Sequence, residues 1–241
     1  MITIRKSEER GHRNRGWLDA HYSFSFADYY DAAHTNFRAL RVLNDDFIAP
    51  GKGFGPHAHR DMEIVTYVLE GGLLHRDSMG QEHILRSNEV QAMSAGNGIV
   101  HSEFNASETE RVHSIQIWIE PSAEDLEPSY QQISFAPAEK QGRFRLIAGP
   151  EASRSEKSTV IHQDANIFVA ELGANQRLEQ SIRAGRYAWV QILRGNVSLN
   201  GHDLTEGDGA STAPNGSNKD ELQLSFTGAE TGCELLLFDL A

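Results

Sequence analysis

"GFGPHAHRDMEIVTYVLEG" occupies residues 53–71. It opens on glycines and a proline, sets two histidines one residue apart, and runs into Ile64, Val65, Thr66, Tyr67, Val68 and Leu69. β-Branched and aromatic residues at that density, stopped by Gly71, spell a buried strand. In extended chain, residues i and i+2 point to one side, so His57 and His59 face the same way, with Glu63 on their parity.

The same kind of run recurs along the chain: "LRVLNDDFI" (40–48), "HILRSNEVQAM" (83–93), "RVHSIQIWIE" (111–120), "IFVAEL" (167–172), "YAWVQILRGNVSLNG" (187–201) and "ELLLFDL" (234–240). Each is bounded by Gly, Asn, Asp or Pro, which predicts closely spaced antiparallel strands in a sandwich or barrel. Helical periodicity is weak, and the best short candidates are residues 122–132 and 26–33. The fold class is therefore all-β.

Two halves resemble each other. "EIVTYVLEG", ending at Gly71, parallels "YAWVQILRG", ending at Gly195. The following "GLLHRDSMGQEHILRSNEVQAMSAG" (72–96) parallels "NVSLNGHDLTEGDGASTAP" (196–214) as strand, glycine turn, strand, tight turn, strand. Between them, residues 120–157 carry Pro121, Pro128, Pro137 and Pro150 and read as a connection. The expected division is an N-terminal domain over residues 1–135 and a C-terminal domain over 136–241. The second copy holds Ser181 and Arg183 where the first has His57 and His59, so any chemistry done by the pair belongs to the first.

Composition removes several function classes. A net charge of −12 argues against direct binding of nucleic acid, which rests on clustered Lys and Arg. No apolar run approaches the about eighteen residues that span a bilayer, and the charged first twenty residues lack a secretory pattern. The single cysteine, Cys233, fits a reducing compartment and excludes a Cys-rich zinc site; cytoplasm is the expected location. The chain has no P-loop, HExxH or G-x-S-x-G motif, and one cysteine does not supply a zinc deaminase signature.

A second histidine signal follows the first by some forty residues. In "GNGIVHSEFN" (96–105), Ile99, His101 and Glu103 share one face. Two strands thus each offer a pair of potential ligands, His57/His59 and His101/Glu103. The bland reading is that each pair is two ordinary polar residues beside a turn. The other reading is convergence inside one barrel, where three imidazoles and a carboxylate suit a borderline divalent metal rather than Mg or Ca. The remaining histidines carry less signal: His75 and His83 flank a turn and are expected to face solvent, and no partner is evident for His12, His21, His34, His162 or His202.

These residues resemble a known family. Gly51, His57, His59, Glu63 and Gly71 follow the first cupin motif, G-x5-H-x-H-x3-E-x6-G, with the last glycine one place late. Gly98, His101 and Asn105 follow the end of the second, G-x2-H-x3-N. The strings "AHRDMEIVTYVLEG", "HRDSMG", "VQAMSAGNGIVHSEFN" and "VIHQDA" resemble the pirin family over most of the chain. The resemblance implies a bicupin, two antiparallel β-sandwich or jelly-roll barrels with a metal only in the N-terminal one. It implies His57, His59, His101 and Glu103 as ligands, with Glu63 nearby but not ligating.

Bacterial pirins of this kind resemble quercetinases, dioxygenases that open flavonol rings with release of carbon monoxide. The resemblance implies one divalent transition metal, Fe(II) foremost, with Mn, Co, Ni, Cu or Zn as alternatives. Glu103 would be the proton acceptor, the partners would be a flavonol and O2, and the chain would act as a monomer. Phe54, Met93, Phe104, Gln116 and Trp118 are candidates to line the substrate slot. Two other readings remain: a different metal-cupin enzyme with an anionic substrate, and a non-catalytic metal- or redox-sensing regulatory protein.

Overall fold

The computed structural model describes residues 2–153, 158–212 and 219–241. Lys157, at the end of the expected connection, and Ala213 and Pro214, which close the second repeat, lie outside the described residues. Strands dominate, and three single 3-10 turns (Ser7–Glu9, Pro137–Glu139, Glu151–Ser153) are the helical segments among the described residues.

Neither expected helix forms. Residues 129–134 are a strand, Ser129–Ser134, paired antiparallel with Glu89–Ser94. Pro128 disfavours helix in the residue before it and leaves the segment extended. Over 26–33 the chain turns instead: Phe26 and Tyr29 exchange backbone hydrogen bonds, and Ala27 takes a left-handed φ of 50°.

The chain divides into two compact units. One comprises Gly11–Phe135 and Ala148–Gln163. It stacks a seven-stranded sheet, which includes Leu40–Ile48, Glu63–Glu70 and Val112–Ile119, and a four-stranded sheet built from Gly53–His59, Ile99–Asn105, Gly72–Asp77 and Glu82–Arg86. Leu18, Ala20, Tyr22, Ile48, Val68 and Val112 from the first sheet pack with Leu73 and Leu85 from the second. Each strand alternates its inward residues into that layer, which is how a β-sandwich makes its core.

The other unit comprises Met1–Arg10, Ala136–Ile147 and Asp164–Ala241. A linear division would place the first strand with the N-terminal half; instead Ile2–Arg5 pairs with Gly209–Thr212, Ile2 opposite Thr212. Lys6 Nζ then donates to Asp208 Oδ2 at 2.9 Å, and the backbone N–H of Ser7 donates to Asp208 Oδ1 at 2.8 Å.

The internal repeat is visible in matching backbone. Gly71 and Gly195 both take left-handed φ, 77° and 70°. At each, an added Cβ would collide with a neighbouring carbonyl, that of Arg111 or Gly232. Only glycine fits both demands. Around Gly195 the second copy runs on as one thirteen-residue strand, Tyr187–Leu199, where the first is split into Glu63–Glu70 and Gly72–Asp77.

Candidate metal centre

The Gly53–His59 and Ile99–Asn105 strands pair antiparallel, with His57 directly opposite His101 and His59 opposite Ile99. The ring centroids of His57, His59 and His101 lie 4.4–4.8 Å apart. Their ligating nitrogens fall within 4.8 Å of one another. Glu103 does not join that triad at the same spacing; it groups with His101 and His75, so His101 belongs to both clusters. In the other unit, Ser181 stands opposite Gln223 and its hydroxyl donates to Gln223 Oε1 at 2.6 Å.

Register changes between His101 and Glu103. Glu103 faces Phe54 rather than the residue two before His57, so the Gly53–His59 strand bulges by one residue. Strict alternation would send Phe54 to the side away from His57; the bulge returns it to the same side, ring centroids 6.4 Å apart. Gly53 is required at this point, since a Cβ would strike the Glu103 carbonyl.

Neighbouring groups orient the candidate ligands. His57 Nδ1 lies 2.8 Å from the Gly55 carbonyl, which selects the Nδ1–H tautomer and leaves Nε2 with its lone pair. The rings of His59 and Trp118 stand edge to face, centroids 4.8 Å apart and planes at 86°. Trp118 Nε1 donates to Gln116 Oε1 at 3.1 Å, and Gln116 Nε2 donates to Glu103 Oε2 at 2.7 Å. That relay holds one carboxylate oxygen and leaves Oε1 without a partner.

His75 is where the sequence reading needs correction. It is fully buried, not solvent-facing, and lies opposite Glu103 in the ladder. Its Nε2 is 3.0 Å from Asp77 Oδ2 and its Nδ1 is 3.4 Å from Gln91 Nε2. Both ring nitrogens are occupied, so His75 backs His101, at 5.4 Å between centroids, rather than offering it a companion lone pair. The periodicity held the signal: Leu73, His75 and Asp77 share parity, and Leu73 is core.

Other histidines have partners that sequence alone did not reveal. His12 Nε2 is 2.6 Å from Asp19 Oδ1 and its ring stacks on His21 at 4.4 Å. His34 pairs with Asp31, His113 with Asp45, and His162 with Glu63. Glu63 is buried, accepts from Ser94 Oγ at 2.8 Å, and stands outside every cluster of potential ligands found among the described residues. His83 sits beside Gln81 on the surface, as expected.

Burial sets the electrostatics. It pushes His101 down to about 2, assisted by the neighbouring imidazoles, and His59 down to about 4. Burial pushes Glu103 up to about 7 against the opposing Gln116 hydrogen bond. Asp46 is raised well above an ordinary carboxylate by burial, then by Asp45 and Glu103. Both nitrogens of buried His101 lack hydrogen-bond partners, as does Glu103 Oε1. Orphaned buried polar atoms are costly, and a divalent cation would satisfy one imidazole nitrogen of His101 together with Glu103 Oε1. The residues therefore fit a borderline metal with a nitrogen-rich shell.

A cavity of about 270 Å³ opens beside the cluster. Its walls include Trp17, Phe26, Phe54 and Trp118, with Gln116 and Glu103. Of the five residues expected there, Phe54, Gln116 and Trp118 line it; Met93 lies in the core with Ile64 and Ile99, and Phe104 is not in the wall. Arg60 and Arg76 pair with Asp61 and Glu82 instead of entering it.

A two-unit antiparallel β fold with imidazoles and a carboxylate gathered on neighbouring strands of one sheet is a bicupin with a metal-type centre. The chain matches the Pirin family model over residues 3–119 and the quercetinase C-terminal cupin domain over residues 146–240. It is 45% identical to quercetin 2,3-dioxygenase of Escherichia coli K12 across 100% of this chain and 99% of that one. It is 38% identical to a pirin-like protein of Caulobacter vibrioides, with 100% of both chains covered. The crystal structure of bacterial pirin YhhW from E. coli in complex with nickel(II) superposes with a TM-score of 0.90 at 44% identity, covering 100% and 99%. The chain belongs to the pirin family.

Proposed function

We propose that this chain is a metal-dependent dioxygenase that opens the ring of flavonols such as quercetin, incorporating O2 and expelling carbon monoxide. The observation that carries the reading is the orphaned set, His101 nitrogens and Glu103 Oε1, buried beside an aromatic-walled cavity. The name of the E. coli relative, at 45% identity over the full chain, supports it.

His57, His59, His101 and Glu103 would hold one divalent metal; Fe(II), and the nickel(II) bound by the E. coli pirin, both suit that donor set. Such an ion supplies Lewis acidity to a ligand hydroxyl and open positions for substrate and O2. The protein does the rest. Gln116 holds Glu103 Oε2, and the Glu103 carboxylate would be the group that takes the proton of the flavonol 3-hydroxyl. Trp17, Phe54 and Trp118 offer faces for a flat ring and keep water from it. The chain acts as a cytoplasmic monomer on a small molecule, without nucleic acid or membrane.

The test is anaerobic loading with Fe(II) or Ni(II), then quercetin and air. Oxygen consumed and carbon monoxide released in equal amounts are expected. Neither gas changing with either metal would overturn the reading. Elemental analysis of His101→Ala should show the metal lost.

A further inference from the structure

The cavity wall contains two buried polar side chains that the chemistry above does not use. Asn44 and Asp46 are 2% and 4% exposed, and both line the cavity. Oδ1 of each finds no hydrogen-bond partner. They stand at i and i+2 on the Leu40–Ile48 strand, so they share a face at a separation of roughly 7 Å along it. Asp45, between them, faces the other way and meets His113 Nε2 at 2.7 Å.

The ladder neighbours leave both oxygens unmet. Asn44 lies opposite Tyr22 and Gln116, and Gln116 already spends its amide on Glu103. Asp46 lies opposite Ala20, which has no side-chain donor, and Ser114. Two buried acceptors retained in the wall of a cavity that also presents Trp17, Phe26, Phe54 and Trp118 call for donors from an occupant.

We propose that Asn44 and Asp46 form a hydroxyl-reading subsite, which selects a flat, neutral polyphenol by accepting hydrogen bonds from its ring hydroxyls. The proposal rests on the flavonol reading and names what that site recognises in its substrate. Ring hydroxyls donate to an amide carbonyl and to a carboxyl oxygen in either protonation state. A carboxylate or phosphate ligand brings acceptors and negative charge to a wall already holding Asn44, Asp46 and Glu103 oxygens, with Arg15 the one Lys or Arg lining it among the described residues. Sugar phosphates and dicarboxylates are thereby disfavoured, while aromatic rings lie against Trp17, Phe54 and Trp118.

The test compares two flavonols that share the 3-hydroxyl and 4-carbonyl. Quercetin carries four more ring hydroxyls; 3-hydroxyflavone carries none. Dissociation constants are measured on the metal-loaded full chain without oxygen, by quenching of tryptophan fluorescence. Asn44→Leu and Asp46→Leu should each weaken quercetin about tenfold and leave 3-hydroxyflavone within about twofold, since one hydrogen bond to a buried acceptor is lost. Asp46→Asn keeps an acceptor and should bind quercetin within about threefold of the parent. Should a leucine variant not fold, Asn44→Ala and Asp46→Ala carry the same comparison. Equal weakening of both flavonols, no weakening of either, or no binding of quercetin to the parent overturns the subsite. Discrimination with no oxygen uptake would leave the subsite standing and remove the dioxygenase reading instead.

Discussion

Gln116 Nε2 donates to Glu103 Oε2 across 2.7 Å, and this single bond is what aims the other carboxylate oxygen. Gln116 is itself fixed by Trp118 Nε1 at 3.1 Å. The carboxylate is fully buried, its affinity for a proton raised by desolvation and lowered by the glutamine.

Gln116→Leu removes the hydrogen bond that opposes burial, so the Glu103 pKa of the metal-free chain rises above about 7. The deprotonated fraction at neutral pH falls, so the pH at which the chain takes up metal moves higher. Equilibrium dialysis against Ni(II) from about pH 5 to 9 should show that displacement, and oxygen uptake with quercetin at pH 7 should drop roughly tenfold or more. An unmoved metal-uptake curve would separate Gln116 from the function of Glu103.

Metal binding should release a proton in a defined window. His59 and His101, held at about 4 and about 2, are already neutral at pH 6 and free to ligate. Glu103, at about 7, is mostly protonated there and must ionise to ligate. Calorimetry in buffers of different ionisation enthalpy should therefore find about one more proton released per ion at pH 6 from the parent than from Glu103→Gln, and little difference between the two at pH 8.

Two glycines two residues apart should behave oppositely. Gly53→Ala drives a Cβ into the Glu103 carbonyl, whereas at Gly55 nothing lies within 4 Å of an added Cβ. The first should cost about 1–3 kcal/mol and lower metal occupancy, the range for overpacking; the second should stay within about 0.5 kcal/mol. Urea denaturation and elemental analysis on both variants check this.

Asp208 ties the first strand to its own unit. It accepts from Lys6 Nζ, from the backbone of Ser7, and from that of Thr205 at 3.0 Å. Burial pulls its pKa upward, but the Lys6 and backbone hydrogen bonds outweigh this and hold it below the usual carboxylate value. A depressed folded pKa means the contribution is full above the unfolded value, about 3.9, and is lost as pH falls through the folded one. Asp208→Ala should destabilise by about 2–3 kcal/mol at pH 7, the scale for leaving buried donors unmet. The gap between parent and variant should narrow on titration toward pH 2, as followed by urea melts.

Much was legible before any coordinates. Strand content, the His57/His59 and His101/Glu103 parities, and the Gly71–Gly195 correspondence all follow from local rules: period two in extended chain, and the backbone freedom of glycine at left-handed φ. His75 reads as a turn residue until the ladder sets it opposite Glu103, and residues 122–132 read as a helix until Ser129–Ser134 pairs with Glu89–Ser94.

Local alternation says which side chains share a face, and the residues themselves supplied that much. It says nothing about which strand lies alongside or where a register slips. Those depend on distant segments packing over one core, because a shift of one residue exchanges the faces of a whole strand. The Gln116 tether on Glu103 and the unmet oxygens of Asn44 and Asp46 arise at that level, where the Leu40–Ile48 strand meets the Ile99–Asn105 and Val112–Ile119 strands around one cavity.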